Sequence, residues 1–482
     1  MGSASWHELR AERFTLLTDG SAATLEVFAR DLARFIAVVD RVVQAPAPNV
    51  PARFVLLTRE TQASFLQPWM EGVILSGVSG FYSFVRADEH SPIHRHTLLH
   101  EFTHYLTLRD NAIAYPHWYV EGFAELLGST RTREDVMEVG AAPPHRIEEL
   151  EIRRARRWKL EIEPLLAFDP GRGDHVATLD YASAWALVHF LHTSGERKAQ
   201  LSEFLRLQIA GQSWEEAFAE AFPESPAELA QAVDDHTRRI ARGVPDSFLF
   251  LELAQLSVDS EWKIRKLTRS EADVVLGETV MVYGNDAFAE AIFRDAVAHA
   301  PDDMRARTAL IAALAAQGRF DAVRELIAKI DSSTLSDADS LAHLASALRA
   351  EAERMSPADE QTSMADRDDL FARAQSLYER ATEIDPRSPV AWAGVARSRV
   401  ARGNPNGALD AFEKASQTGE LDGELMLDWG LAEKLAGREM EARIRWSFVL
   451  RQGTKSQRKR AAKLIAELMT VEEKSATGDA AS

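Results

Sequence analysis

The stretch Ser91-Pro92-Ile93-His94-Arg95-His96-Thr97-Leu98-Leu99-His100-Glu101-Phe102-Thr103-His104 decides how the first half of this chain is read. Ser91 suits a helix N-cap and Pro92 the first helical position, while Ile93, Leu98, Leu99, Phe102 and Leu106 recur at helical spacing to about residue 108. On such a helix residues i and i+4 stack, so His100 and His104 present two imidazoles to one ion. Glu101 lies about 100° further round the axis, beside the two nitrogens rather than among them, where a carboxylate can take a proton from water.

Catalytic zinc usually takes three protein ligands and keeps one position open. The third candidate here is Glu121. It lies in Pro116-His117-Trp118-Tyr119-Val120-Glu121-Gly122-Phe123-Ala124-Glu125-Leu126-Leu127, a second helix that begins near a proline and ends at Gly128, after the turn-rich Arg109-Asp110-Asn111. The two helices are expected to face each other antiparallel, with Gly122 at their close approach. Glu125, one turn on from Glu121, is placed to accept the outer N–H of a ligand imidazole. His96 reads as a solvated or outer residue, because a fourth protein ligand would close the site. His117, His189 and His192 have no ligand spacing and read as structural.

The set His100, Glu101, His104, Trp118, Glu121, Gly122, Ala124 and Glu125 resembles the gluzincin metallopeptidases, most closely the bacterial peptidase MA-like domains, in which HExxH is followed by W-x-x-E-G-x-A-E. The resemblance implies an α+β, thermolysin-like catalytic domain, one Zn2+ per chain on His100, His104 and Glu121, Glu101 as general base, and a peptide or protein substrate. It also implies a tyrosine some sixty positions beyond the glutamate ligand that stabilises the tetrahedral intermediate. Tyr181, sixty positions after Glu121, opens Tyr181-Ala182-Ser183-Ala184-Trp185-Ala186-Leu187-Val188-His189-Phe190-Leu191. It reads either as that oxyanion donor or as a helix-start aromatic of the core. The G-A-M-E-N strand of aminopeptidase-like members is replaced by Gly77-Val78-Ser79-Gly80-Phe81-Tyr82-Ser83-Phe84, so aminopeptidase specificity is not implied. The family leans towards exported proteins, which points to the periplasm or cell envelope. No signal peptide is visible, and Met1-Gly2-Ser3 reads as an expression remnant on a trimmed chain.

The 482 residues are 46% hydrophobic and contain no apolar run of membrane-span length, so a soluble chain of two or three domains is expected. A net charge of −18 argues against nucleic acid as a partner; the basic stretch Lys455 to Lys463 reads as a solvated helix face. Cysteine is absent, which excludes disulfides and thiolate zinc sites.

Residues 13–18 and 52–58 read as strands flanking a helix from Leu25 to Val43, and 72–85 as a strand pair. The chain therefore divides into an α/β sheet part (1–90), a helical zinc-binding part (91–243) expected to be helical beyond Gly128, a linker (244–269) and a repeat domain (270–453). Within the last, Leu276-Gly277, Ala289, Phe293 and Ala296, then Leu310, Leu314 and Gly318, then Trp392, Ala396, Gly403, Ala408 and Phe412 recur with the period of about 34 residues typical of tetratricopeptide repeats. About five repeats are expected, with a polar insertion near 354–369, followed by a C-terminal helix (454–471) and a disordered tail (472–482). Such an all-α solenoid either binds a protein partner on its concave side or braces the catalytic domain. The alternative to a peptidase is a catalytically inactive scaffold of the same fold that acts through its repeats.

Overall fold

The computed structural model describes residues 5–43, 51–67, 70–88, 91–109, 115–168, 179–256, 258, 262–355, 364–420 and 422–478. Residues 1–3, half of the expected insertion (356–363) and the last four residues of the tail lie outside them.

The first part of the chain runs β1 (His7–Arg10), β2 (Phe14–Thr18), α1 (Ala22–Val43), β3 (Ala52–Leu57), the one-turn α2 (Arg59–Gln62), β4 (Gly72–Gly77), β5 (Gly80–Arg86), α3 (Pro92–Arg109) and α4 (His117–Gly128). There follow β6 (Arg131–Arg133), β7 (Val136–Val139), α5 (Pro144–Ala155), α6 (Glu163–Leu166), α7 (Tyr181–Thr193), α8 (Arg197–Ile209), α9 (Trp214–Ala221), α10 (Pro226–Ala241), β8 (Leu249–Glu252) and β9 (Ile264–Lys266). The main sheet has the order β4-β5-β3-β2-β1-β9, which leaves β4 at one edge. Its centre is parallel, β2 against β3 and β3 against β5, because α1 carries the chain across between β2 and β3.

Alternation along the strands gives this sheet two apolar faces. Leu16, Phe54, Leu56, Phe81 and Val85 pack with Leu25, Phe28, Leu32 and Phe35 of α1 and with Leu98, Leu99, Phe102 and Tyr105 of α3. Leu17, Val55, Leu57 and Phe84, joined by Trp6, belong instead to a core continuous with the C-terminal helices. A third core, around Trp118, Trp185, Phe204 and Phe218, unites α4 to α10.

Two expectations fail in the same way. The stretch 244–269, expected as a linker, supplies β8, which pairs with β7, and β9, which pairs with β1 and forms the second edge of the main sheet. The region after Gly128, expected to be helical, contains the β6–β7 hairpin. Strands of three or four residues are too short for a period-two pattern to emerge from sequence, and their pairing partners lie more than a hundred residues away for β8 and more than two hundred and fifty for β9.

Among the described residues, the C-terminal region is built of five helix pairs: α11 (Arg269–Val282) with α12 (Asp286–His299), α13 (Met304–Ala316) with α14 (Phe320–Ile327), α15 (Ala338–Arg354) with α16 (Met364–Ile384), α17 (Pro389–Ala401) with α18 (Pro405–Thr418), and α19 (Gly423–Leu435) with α20 (Glu439–Gln452). Side-chain caps start most of these helices, among them Thr268, Asn285, Asp303, Asp337, Ser388, Asn404 and Asp422. Within pairs, Gly277 and Gly430 lie against the rings of Phe293 and Trp446, where an added Cβ would come within 2.3 and 2.4 Å. The closing helix α21 (Lys455–Gly478) continues beyond residue 471, so the first part of the expected tail is helical.

The first pairs cover the free face of the sheet. Ala272, Val275, Leu276 and Val280 of α11 and Ala289, Ile292 and Phe293 of α12 share one core with Trp6, Leu17, Val55, Leu57 and Phe84. Five large side chains buried in this way contribute on the order of 10 kcal/mol. The array thus supplies the third layer of the sheet domain. A chain truncated after residue 267 is expected to aggregate or to bind a hydrophobic dye strongly, whereas the full chain stays monodisperse; a truncated chain as soluble and as cooperatively folded as the full one would contradict this layering.

Candidate functional site

Residues 96–105 of α3 are all buried, with Leu98, Leu99, Phe102 and Tyr105 against the sheet and His96, His100, Glu101 and His104 turned elsewhere. Polar groups so placed need partners, and α4 brings them. Two close approaches set the geometry. At Gly128 an added Cβ would stand 3.1 Å from the His96 carbonyl oxygen and 3.2 Å from His100, so the end of α4 lies directly on α3. Gly122, expected to serve that same contact, faces α7 instead: a Cβ there would lie 2.5 Å from the Ala184 carbonyl oxygen and 2.6 Å from Val188. The glycine beside the candidate ligand therefore seats the tyrosine-bearing helix.

Three donor atoms converge between α3 and α4. His100 Nε2 and His104 Nε2 are 2.9 Å apart, and Glu121 Oε2 lies 3.4 and 3.2 Å from them respectively. A tetrahedral zinc with bonds of about 2.0–2.1 Å separates its ligands by about 3.3 Å. Two imidazole nitrogens and one carboxylate oxygen are also donors of the kind zinc takes, so the residues present fit zinc.

Glu125 is 2% exposed and stands behind the triad. Its Oε1 is 3.4 Å from His100 Nδ1 and its Oε2 3.2 Å from His96 Nε2, while Arg146 of α5 donates to both oxygens, from Nε at 3.0 Å and Nη2 at 2.8 Å. Burial alone would raise the Glu125 carboxyl, but the charges of His96 and Arg146 outweigh it and hold it well below the usual range. His96, His100 and Glu125 also lie close enough together to form a second donor group. Both oxygens of Glu125 already accept from Arg146, however, and His100 directs Nε2 to the other triad.

Glu121 behaves similarly. Burial works to raise it, and the His104 charge with hydrogen bonds from His100 and His104 brings it far down. Glu101 is compensated less. Burial is the largest influence on it, His104 pulls it down, Glu121 and Glu125 push it up, and the result is a carboxyl raised to about 7.

Tyr181 begins α7, whose N-cap Asp180 accepts from the Ser183 backbone N–H at 3.0 Å. Its hydroxyl is held protonated, first by burial and then by the negative charges of Glu121, Glu101 and Glu125. The Arg146 guanidinium lies 5.5 Å from the Tyr181 ring centroid. Arg146 also pairs with Glu149 at 3.1 Å, Glu149 with Arg153, and Arg153 with Asp180 at 2.6 Å, so a chain of ions joins Glu125 to the start of the Tyr181 helix.

Of the residues expected in the site, the structure brings His100, His104, Glu121, Glu101 and Glu125 together and sets Tyr181 within their electrostatic field. His96 is an outer partner of Glu125. His117 Nε2 lies 3.6 Å from Glu121 Oε1, nearer the site than a purely structural histidine. Sequence reading missed Arg146 and its neighbour His145. The link from Arg146 to Glu125 crosses 21 positions, with no motif to announce it.

The family model described as Tetratricopeptide Repeats-Sensor matches residues 287–400. Among solved structures, the chain is similar to a thermophilic tetratricopeptide-repeat protein of Thermus thermophilus, with 18% identity over 40% of this chain and 97% of that one and a TM-score of 0.35. It is similar also to MamA (16% identity, 40% and 94% coverage, TM-score 0.26) and to PilF of Pseudomonas aeruginosa (17%, 40% and 97%, 0.21). No curated protein matches. The C-terminal region carries tetratricopeptide-type repeats.

Removing Arg146 leaves Glu125 buried without its guanidinium partner and loosens the hold on His100. Arg146→Gln is expected to weaken zinc binding about 10- to 100-fold, measured by competition with a chromogenic chelator; unchanged affinity would deny Arg146 any part in holding the ligands.

Proposed function

We propose that this chain is a zinc-dependent peptidase of gluzincin type in which His100, His104 and Glu121 hold one Zn2+. The observation that carries the reading is the convergence of three donor atoms from two buried helices, with a carboxylate on the adjoining residue outside the ligand set. Zinc bound there supplies Lewis-acid chemistry, polarising the scissile carbonyl and making water more acidic.

The remaining steps belong to the chain itself. Glu101 takes the proton of the attacking water as oxygen adds to the carbonyl carbon, then delivers it to the leaving amine nitrogen as the C–N bond breaks. Tyr181, held protonated, donates its hydroxyl hydrogen to the developing oxyanion. Arg146 and Glu125 keep the His100 ring oriented. The edge strand β4 borders the site: an added Cβ at Gly72 would lie 3.1 Å from Glu101 Oε1. An extended peptide adding to that edge would pass the triad.

One observation favours the second reading, a non-catalytic scaffold that engages a protein through its repeats. Leu435, Met440 and Ile444 of the last pair are 55, 64 and 57% exposed, a large apolar display for a finished surface. Metal analysis separates the two. The peptidase reading expects one zinc per chain by mass spectrometry, lost in His104→Ala and in Glu121→Ala. It further expects Glu101→Gln to keep its zinc while hydrolysis of a peptide library falls about 10²- to 10⁴-fold. Wild-type protein that stays metal-free after zinc addition and dialysis, or a Glu101→Gln variant with unchanged turnover, would transfer the assignment to the scaffold.

A further inference from the structure

The repeat array reaches the strand that borders the candidate site. At the end of α11 the Tyr283 hydroxyl donates to the Val73 carbonyl of β4 at 2.8 Å, and its ring packs against Phe84 of β5 with centroids 5.3 Å apart. Tyr283 is also close enough to Glu101 for that carboxylate, after burial, to help keep the phenol protonated. At the other end of the β4–β5 hairpin, the Glu420 backbone N–H donates to the Val78 carbonyl at 3.2 Å. Gly419 sits so tightly there that an added Cβ would fall 2.3 Å from the Val78 oxygen and 2.4 Å from Pro389 Cβ. Between these points Arg53 pairs with Glu278 of α11 at 3.5 Å and covers the Tyr82 ring of β5 at 5.1 Å.

Where Tyr283 attaches matters. The Arg86 backbone N–H donates to the Glu71 carbonyl at 3.0 Å, so the pair 71/86 is hydrogen-bonded directly across the ladder. Alternation makes 73/84 and 75/82 bonded pairs as well. The Val73 carbonyl therefore faces β5, and the backbone groups of Gly72, Ile74 and Ser76 face the open edge. Tyr283 holds the strand without occupying the edge that an extended peptide needs. One residue away, Gly72 abuts Thr97 and Glu101 of α3, where a Cβ would come within 2.6 Å of Thr97 Cγ2.

We propose that Tyr283 is a positioning residue supplied to the catalytic site by the first repeat, and that the repeats grip the β4–β5 hairpin at its base and tip to hold the substrate-side strand in register with Glu101. The catalytic part of this inference rests on the peptidase reading; the mechanical part does not.

The test uses the full chain with Tyr283→Phe, which removes one hydrogen bond and keeps the ring, and Gly419→Ala, which crowds the tip from the far end of the array. Hydrogen exchange of the β4 amides that face β5, those of Val73, Leu75 and Gly77, is expected to quicken about five- to tenfold in both variants, with β2 and β3 unchanged. Wild-type exchange of β4 in both variants would overturn the grip. In the kinetic arm, Tyr283→Phe is expected to keep one zinc per chain and to lose about tenfold in kcat with KM within about twofold. A wild-type kcat in that variant would overturn the positioning role. A wild-type chain that binds zinc yet hydrolyses no peptide would instead overturn the peptidase reading, and exchange alone would then decide the grip.

Discussion

Three carboxylates, Glu101, Glu121 and Glu125, are buried within one helix crossing, and the placement of so much negative charge away from water constrains everything around it. Burial alone disfavours each of them, because an ionised group loses its hydration when removed from water. The chain meets the requirement three ways. Glu125 receives a full guanidinium from α5 and the ring of His96. Glu121 receives two imidazoles from α3. Glu101 receives the least and is raised towards neutrality. Identical chemical groups are thereby differentiated by their neighbours, and the one left most basic, Glu101, is the one that belongs to neither donor group.

That differentiation depends on helices held in place by unrelated contacts. Gly128 seats α4 on α3, and Gly122 seats α4 on α7, so α4 is gripped between α3 and α7. Arg95 adds a polar tie, bonding Asp31 of α1 at 2.7 Å and the Thr130 carbonyl just past α4 at 2.6 Å. The ion chain from Glu125 through Arg146, Glu149 and Arg153 to Asp180 then fixes the start of α7. Removing a partner from such a network strands a buried charge, which costs more than the pair contributes while intact.

The site was legible in sequence where its residues obey a helical period and not where they meet across the fold. His100, His104, Glu121 and Glu125 each sit one turn from a partner on the same helix, so spacing alone placed them on common faces. Arg146 comes from another helix, and nothing in Pro143-Pro144-His145-Arg146 marks it as the counter-ion of Glu125. The same divide runs through the fold. The five helix pairs announced themselves by small and aromatic residues at fixed intervals, whereas β6, β8 and β9 are short and acquire meaning only from distant pairing. Gly122 illustrates the limit well: a close helix contact was legible there, but sequence could not say with which neighbour.

The union of sheet and repeats has a geometric consequence. In a solenoid each pair touches mainly its neighbours, so curvature accumulates along the array and is soft over several repeats. The β4–β5 hairpin joins the end of α11 to the connection between α18 and α19, crossing from the first pair to the junction of the fourth and fifth. From Val73 to Val78 an extended strand covers about 17 Å. The hairpin is thus a chord across the arc, stiffened by its ladder and by the Tyr82–Ser79 bond of 2.7 Å at its turn. A chord of fixed length limits how far the arc can open, and an arc that opens must pull on the chord. Because Gly72 at the base of that chord lies against Glu101, the curvature of the repeats and the position of the Glu101 carboxylate are linked through a single strand.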